Sequence, residues 1–174
     1  MNKAIFFDRD GIVNERLIGK YVKNISEFVF VHSFLHFFAK IKENNYLAIL
    51  ITNQQGIGKG LMSEDDLGHI HHHMQTELKR KTGYNFDDIY FSPDLADSGS
   101  KTRKPAPGMI LKAAEKWNID LKSSFMVGDS SSDIQAGINA GTSTILINKE
   151  KAGSPDLYFQ SLDDLYLYFS ENIL

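Results

Sequence analysis

The chain of 174 residues contains no cysteine. This absence excludes disulfide bonds and thiolate metal sites, and it is typical of a reducing compartment, so we expect a cytoplasmic protein. No segment approaches the roughly 20 apolar residues that a membrane span requires. The apolar run near the N-terminus is too short for a signal peptide and is interrupted by acids. We therefore expect no membrane partner.

A strong charge of either sign is also missing. The 19 Lys and Arg residues against 22 Asp and Glu residues give a formal net charge of -3 and a pI of about 6.0. Because nucleic acids attract strongly basic surfaces, we expect no nucleic-acid partner. The chain has only four prolines and no Pro/Gly-rich linker, so its length predicts one domain over residues 1–174. We expect a monomer.

Apolar strands and amphipathic helices alternate along the sequence. The stretches "KAIFFD" and "YLAILITN" are continuously apolar, which is typical of strands covered on both faces in a parallel sheet. Between them, "HSFLHFFAKIKENN" has apolar residues at helical spacing. Ser63 and Asp66 form a capping-box pattern for a second helix, which ends before Gly83.

The same alternation continues to the end of the chain. Further strands are predicted at "FDDIYFS", "SSFMVGD", "STILIN" and "PDLYF", and further helices at "KPAPGMILKAAEKWN", "SSDIQAGINAG" and "SLDDLYLYFSENIL". This order predicts an α/β fold, a doubly wound and mostly parallel sheet with helices on both faces. Ligands bind at the carboxyl ends of the strands in such sheets.

Polar residues follow four of the predicted strands, where they would share that edge. They are Asp8 and Asp10, Thr52 and Asn53, Arg103 and Lys104, and Asp129 after Gly128. Two neighbouring carboxylates repel each other unless a cation neutralises them, and a site rich in oxygen and free of thiolates suits Mg²⁺. Mg²⁺ commonly keeps a substrate phosphate among its ligands. The pattern therefore predicts Mg²⁺ and a small phosphorylated metabolite as partner.

Four motifs now resemble a known family. "DRDG", "ITN", Lys104 in "RKPAPGM" and "GDSSSD" are similar, in this order, to the four motifs of the haloacid dehalogenase (HAD) superfamily of phosphotransferases. "TNQQGIGKG" and "VGDSSSDIQAG" further resemble the branch that contains heptose 1,7-bisphosphate and histidinol-phosphate phosphatases. The resemblance implies a HAD-like Rossmannoid fold. The short separation of Asp8 and Thr52 leaves no room for a large cap domain.

The resemblance implies roles for the acids. Asp8 would attack phosphorus to form an aspartyl-phosphate. Asp10 would protonate the leaving alkoxide and later deprotonate the attacking water. Asp8, the Asp10 backbone carbonyl and Asp129 would hold Mg²⁺.

It implies supporting roles for the other motif residues. Thr52 and Asn53 would hydrogen-bond the transferring oxygens, and Lys104 would place a positive charge beside them. Gly11 would let the backbone turn close to the metal and the bound substrate. Asp133 would orient a metal-bound water or Lys104, although an acid in this position is also a common helix cap.

Three further features have alternative interpretations. Arg103 is as much a candidate for contact with a substrate phosphate as for an ordinary surface charge. "GIGKG", residues 56–60, fits neither a dinucleotide nor a P-loop template, so we expect a flexible loop beside the active site with Lys59 as a candidate substrate contact. His69 and His73 share one helix face, and a solvated face is favoured over a metal site.

The function implied is that of a Mg²⁺-dependent phosphatase, with D-glycero-D-manno-heptose 1,7-bisphosphate losing its 7-phosphate as the favoured reaction. Histidinol phosphate and other sugar phosphates are alternative substrates. A HAD-fold binding protein without turnover is an alternative of another class. The Asp8 and Asp10 pair favours an enzyme, because a binding protein needs no acid–base group.

The sequence departs from this branch in a loop and at one basic position. Many relatives carry a zinc loop, Cys-x-His followed by Cys-x-Cys, directly before Arg-Lys-Pro. The corresponding residues here are Ser92, Asp94, Ser100 and Thr102. Ser130 stands where many relatives have a basic residue. Hydroxyl groups bind Zn²⁺ poorly, so we expect no zinc.

Stability should therefore not respond to zinc-specific chelators, whereas catalysis should stop when Mg²⁺ is withdrawn. Elemental analysis of protein purified without a metal-affinity tag is the measurement. Stoichiometric zinc retained through dialysis at residues 92–102 would contradict this prediction.

Overall fold

The computed structural model describes residues 1–173 and has a six-stranded sheet in the order β3-β2-β1-β4-β5-β6. The strands are β1 (Ala4–Phe7), β2 (Leu47–Asn53), β3 (Asp88–Ser92), β4 (Phe125–Gly128), β5 (Ser143–Ile147) and β6 (Leu157–Phe159). Every pairing between neighbouring strands is parallel. The predicted doubly wound sheet is confirmed, and it is parallel throughout.

Helices connect the strands at the predicted places. They are α1 (His32–Glu43), α2 (Gln55–Gly58), α3 (Glu64–Thr82), α4 (Gly108–Trp117), α5 (Ser131–Ala140) and α6 (Leu162–Asn172). The Ser63–Asp66 capping box is present, and Gly83 ends α3 in the left-handed region. These features confirm the helix signals read from the sequence.

The helix α2 contradicts the expected flexible loop at residues 56–60. Gly56 is buried within this helix. A Cβ atom on Gly58 would lie 2.5 Å from the Pro93 carbonyl oxygen. Gly58 therefore allows close packing against the loop after β3, whereas Gly60 has open space around it. Composition alone does not distinguish a packed glycine from a flexible one.

The two faces of the sheet carry separate apolar cores. Ile5 and Phe7 of β1 belong to the larger core, which includes buried residues of α1, α3 and α6. Ala4 and Phe6 point to the smaller core, with buried residues of α4 and α5. Because successive side chains of a strand point to opposite faces, a strand with helices on both sides must be apolar at every position.

Little covers the carboxyl edge of the sheet. Within the described residues, the chain between β1 and β2 forms only a short 3₁₀ helix (Ile25–Glu27) and α1 besides loops. This connection between β1 and β2 agrees with the prediction that no large cap domain covers the site. No helix in residues 1–173 is both long and apolar enough to cross a membrane.

Aromatic rings fill the larger core. Phe34 is fully buried, and its ring centroid lies 5.4 Å from Phe7 and from Phe38 and 6.1 Å from Phe86. Phe34→Ala should lower the free energy of unfolding by about 3–5 kcal/mol, because a cavity is left among rings that cannot collapse. Urea denaturation measures this change. Leu167→Ala, at a side chain that is 57% exposed, is the control and should change it by less than about 0.5 kcal/mol.

Candidate active site

A cavity of about 200 Å³ opens at the carboxyl edge of the sheet. Its walls come from the segments that follow β1, β2, β3 and β4. Of the residues predicted for the site, those that line it are Asp8, Asp10, Asn53, Arg103, Lys104, Asp129 and Asp133. The expected convergence of strand ends is therefore present.

A buried lysine joins two carboxylates in this cavity. Lys104 is 3% exposed, and its Nζ lies 2.6 Å from Asp8 Oδ1 and 2.6 Å from Asp133 Oδ1. The same Nζ donates a hydrogen bond of 2.9 Å to the Ile51 carbonyl oxygen. Burial disfavours the ammonium, but Asp133 and Asp8 raise the pKa of Lys104 above its ordinary value. Lys104 therefore stays charged.

Asp8 lies among like charges. Burial raises the pKa of Asp8 to about 7, and Lys104 opposes this rise. The carboxylates of Asp133, Asp129 and Asp10 raise the pKa further. An additional cation beside Asp8 would relieve this repulsion.

The acidic residues fit a divalent metal ion. Oxygen atoms of Asp8, Asp129 and Asp133 all lie within 4.8 Å of one another. Asp133 is already engaged, since one oxygen pairs with Lys104 and the other accepts hydrogen bonds from the Ser130 amide and hydroxyl. Asp8 and Asp129 are therefore the carboxylates available to a cation, and oxygen ligands suit a hard one.

Gly11 makes room for Asp129. The φ angle of Gly11 is +101°, and a Cβ atom there would lie 2.1 Å from Asp129 Oδ2. Both the backbone conformation and the available space therefore require glycine. The structure gives the predicted glycine a defined function, the close approach of Asp129 to the turn after β1.

Asp10 has an environment opposite to that of Asp8. The Arg9 guanidinium donates to both of its carboxylate oxygens at 3.0 Å. Asn14 and Gln54 each donate one further hydrogen bond of 3.0 Å. Burial alone would raise the pKa of Asp10, but the Arg9 charge and these hydrogen bonds lower it below its ordinary value. Four hydrogen bonds thus fix the orientation of this carboxylate.

A neutral histidine lies behind Arg9. Arg9 is fully buried, and its guanidinium approaches His71 Nε2 at 3.4 Å. Burial and the Arg9 charge lower the pKa of His71 to about 3, although Asp10 opposes this shift. Only a neutral imidazole can accept this hydrogen bond, because a guanidinium donates and never accepts.

The side chains of three residues predicted to contact the substrate form hydrogen bonds with other groups of the protein. The Thr52 hydroxyl is buried and accepts a hydrogen bond of 2.8 Å from Gln54, and Thr52 does not line the cavity. The Asn53 side chain pairs with both the amide and the carbonyl of Lys104, each at 3.0 Å. Lys59 lies outside the cavity lining and donates to the Tyr21 hydroxyl at 3.0 Å.

Sequence reasoning missed several polar residues of the site. Arg16 lines the cavity and donates to Asp129 Oδ2 at 2.9 Å, and Lys20 and Tyr21 lie in the same wall. Arg9 and Gln54 lie next to the motif residues in the sequence, and this adjacency is the feature that could have indicated them. No local pattern indicates His71, because its partner is distant in sequence.

A parallel Rossmann-like sheet with two aspartates and a lysine at its carboxyl edge is typical of the HAD superfamily, whose phosphatases are phosphoric monoester hydrolases. A family model described as HAD-hyrolase-like matches residues 101–165. The fold is that of a solved heptose 1,7-bisphosphate phosphatase from B. bronchiseptica, complexed with magnesium and phosphate, at 29% identity. The TM-score is 0.88, covering 97% of this chain and 98% of that one.

Curated relatives narrow the class. The chain is 36% identical, over 97% of its length and 96% of the relative, to D-glycero-alpha-D-manno-heptose-1,7-bisphosphate 7-phosphatase of Campylobacter jejuni. It is 37% identical, over 93% of both chains, to D-glycero-beta-D-manno-heptose-1,7-bisphosphate 7-phosphatase of Helicobacter pylori. The chain therefore belongs to the heptose-1,7-bisphosphate 7-phosphatase family of the HAD superfamily.

Gly11→Ala should weaken Mg²⁺ binding at least tenfold, because the new Cβ atom displaces the Asp129 carboxylate that faces the metal position. Titration calorimetry with MgCl₂ measures this affinity. Gly141→Ala is the matched control, since Gly141 also has a positive φ, +89°, but has open space around it. Equal Mg²⁺ affinity in both variants would contradict the assignment of Asp129.

His71 should make the protein less stable in acid. Above pH 6.5 the imidazole is neutral in both the folded and the unfolded chain, so it contributes no pH dependence. Between pH 6.5 and about 3 only the unfolded chain takes up this proton, so the free energy of unfolding should fall by up to about 1.4 kcal/mol per pH unit.

His71→Gln should remove this contribution. The measurement is urea denaturation at pH 7, 5.5 and 4, taking the difference between wild type and variant at each pH. His36→Gln, on the exposed face of α1, is the control. A difference that does not change with pH would contradict the neutral buried state of His71.

Proposed function

We propose that this protein is a Mg²⁺-dependent phosphatase that removes the 7-phosphate from D-glycero-D-manno-heptose 1,7-bisphosphate through an aspartyl-phosphate. One observation carries the chemistry: Asp8 and Asp10 line the same cavity, Asp8 beside the Lys104 ammonium and Asp10 held in a fixed orientation by Arg9, Asn14 and Gln54. Two acids at one cavity, one beside a buried lysine and one oriented by hydrogen-bond donors, can divide nucleophilic and acid–base work between them. The substrate is proposed from the relatives, which are heptose-1,7-bisphosphate 7-phosphatases.

In the first half-reaction a carboxylate oxygen of Asp8 forms a bond to phosphorus, and the bond from phosphorus to the sugar oxygen breaks. The Lys104 ammonium donates a hydrogen bond to Oδ1 of this carboxylate. Asp10 gives a proton to the departing alkoxide. Because its hydrogen bonds hold its pKa low in the free site, it takes up this proton when the negative charge of the bound phosphate lies beside it. Arg9, Asn14 and Gln54 hold the Asp10 carboxylate in place for this transfer.

In the second half-reaction Asp10, now ionised, takes a proton from water as the water oxygen bonds to phosphorus. The bond between phosphorus and Asp8 breaks, inorganic phosphate leaves, and both acids return to their initial state. General acid–base catalysis of this kind contributes roughly 10²- to 10⁴-fold to the rate. The low pKa of Asp10 favours the ionised form that this second step requires.

Three features would balance the negative charge. Asp8, Asp129 and the Asp10 backbone carbonyl would hold Mg²⁺, which supplies positive charge to the phosphoryl oxygens. Lys104 supplies a second positive charge next to Asp8. Asn53 fixes the Lys104 backbone through its paired hydrogen bonds, so its role here is to position the lysine.

The cavity rim suits a sugar that carries a second anionic group. Arg16, Lys20 and Arg103 line it, and Tyr21 adds a polar hydroxyl. Each cation can attract a phosphate that does not react. Histidinol phosphate and other sugar phosphates remain the alternatives. The cytoplasmic location, monomeric state and lack of nucleic-acid partners remain predictions.

A phosphate-release screen with Mg²⁺ tests the function. We expect the highest kcat/KM with one anomer of heptose 1,7-bisphosphate, compared with hexose phosphates, histidinol phosphate and nucleotides. Both anomers belong in the screen because the relatives are named for either one. A substrate outside the sugar phosphates with higher kcat/KM would overturn the substrate assignment. Failure to release phosphate from every compound tested would overturn the assignment as an enzyme.

Asp8→Asn should lower kcat by about 10³-fold or more while the fold persists, because the amide has nearly the same shape but is a poor nucleophile. Asp10→Asn should also be severely impaired, and any aspartyl-phosphate that forms should be trapped, because nothing then activates the water. Kinetics and acid-trapped phosphoenzyme are the two readouts. Asp65→Asn, at an exposed acid of α3, is the control. Activity of Asp8→Asn within about tenfold of wild type would contradict the assignment of Asp8 as the nucleophile.

A further inference from the structure

The loop between β3 and Lys104 is organised around one carboxylate. Asp94 Oδ2 accepts hydrogen bonds from the Ser92 hydroxyl at 3.0 Å and from the Thr102 hydroxyl at 3.4 Å. The Ser100 and Thr102 hydroxyls lie 3.0 Å apart. These four residues, the loop cluster, join the first and last residues of the loop.

Arg103 is attached to this cluster by two hydrogen bonds. Its backbone amide donates to the Ser100 hydroxyl at 3.1 Å, and its guanidinium donates to the Asp94 carbonyl oxygen at 3.0 Å. Arg103 lines the cavity that contains Asp8, and it also lines the adjoining depression beside Pro105. The position of this cation in the site therefore depends on the conformation of the loop.

Apolar packing contributes little to the loop. The run from Leu95 to Gly99 is exposed, and Leu95 is 37% exposed. Hydrogen bonds from the Ser100, Ser92 and Thr102 side chains lower the pKa of Asp94, so the contacts favour its ionised form. A segment with few buried contacts opens easily unless polar interactions hold it.

We propose that Asp94 is a positioning residue for Arg103, and that through this arginine it sets the affinity of the cavity for its phosphorylated substrate. The proposal rests on the proposed phosphatase function. An arginine held in its binding position before the substrate arrives loses less conformational entropy on binding than a mobile one. The effect therefore falls on substrate binding and leaves the chemistry at Asp8 unchanged.

Steady-state kinetics with the best substrate of the phosphate-release screen tests this. Asp94→Ala should raise KM about tenfold, with kcat within about threefold of wild type, because it removes the Ser92 and Thr102 hydrogen bonds that hold the loop, and with it the Asp94 carbonyl to which Arg103 donates. Asp94→Asn, which retains an acceptor oxygen, should restore KM to near wild type. Asp97→Ala removes the same charge from an exposed position of the same loop and should change neither parameter.

A double-mutant cycle separates action through Arg103 from a general effect. In the Arg103→Ala background, Asp94→Ala should raise KM no further, because the residue on which it acts is gone. Additive effects of the two substitutions would overturn the proposal. A fall in kcat with KM unchanged would overturn it as well.

Limited trypsin digestion gives a readout that needs no activity. Trypsin should cleave the Asp94→Ala variant faster than wild type after Lys101 and Arg103, whereas it should cleave the Asp97→Ala variant at the wild-type rate. Unchanged cleavage in Asp94→Ala would overturn the role of the loop cluster even in an active enzyme. If the wild-type protein released no phosphate at all, the proposed function would fail, and faster cleavage would still show that Asp94 holds this loop.

Discussion

The repulsion among four aspartates at one edge of the sheet is the constraint on which this site depends. Asp8, Asp10, Asp129 and Asp133 all line a single cavity. Each of these acids forms an ion pair with a cation: Asp8 and Asp133 pair with Lys104, Asp10 with Arg9, and Asp129 with Arg16. Of these cations Arg16 is the most exposed, so it costs least to move when a metal ion or substrate arrives.

The groups around the two acids of "DRDG" shift their pKa values in opposite directions. Burial and nearby carboxylates raise the pKa of Asp8, and the guanidinium and amide donors lower that of Asp10. A fully buried arginine is costly unless its charge is paired, and Arg9 meets this need with Asp10 on one side and neutral His71 on the other. The interior behind the cavity therefore supports the site electrostatically as well as by packing.

The loop before Lys104 shows how the same framework can be held by different chemistry. Ser92, Asp94, Ser100 and Thr102 stand at the four positions that correspond to the zinc ligands of the relatives. In the structure their side chains hydrogen-bond to one another around the Asp94 carboxylate. The backbone path of the loop is thus compatible with neutral hydroxyl groups around one acid.

The sequence by itself determined the order of strands and helices, because apolar periodicity and helix caps are local and act within a few residues. It also placed Asp8, Asp10, Asp129 and Lys104 at one edge, since parallel strands with helical crossovers bring their carboxyl ends together.

Only the tertiary structure decided which partners these residues have. His71 meets Arg9 across 62 positions, and Lys104 meets Asp8 across 96. The resemblance implied that Thr52 and Asn53 hydrogen-bond the transferring oxygens, and only the structure shows that their side chains also contact Gln54 and the Lys104 backbone. Gly56 and Gly58 are tightly packed against other segments, which composition does not separate from flexibility. Pairings of this kind depend on how distant segments pack, and no local pattern encodes the distance between two side chains.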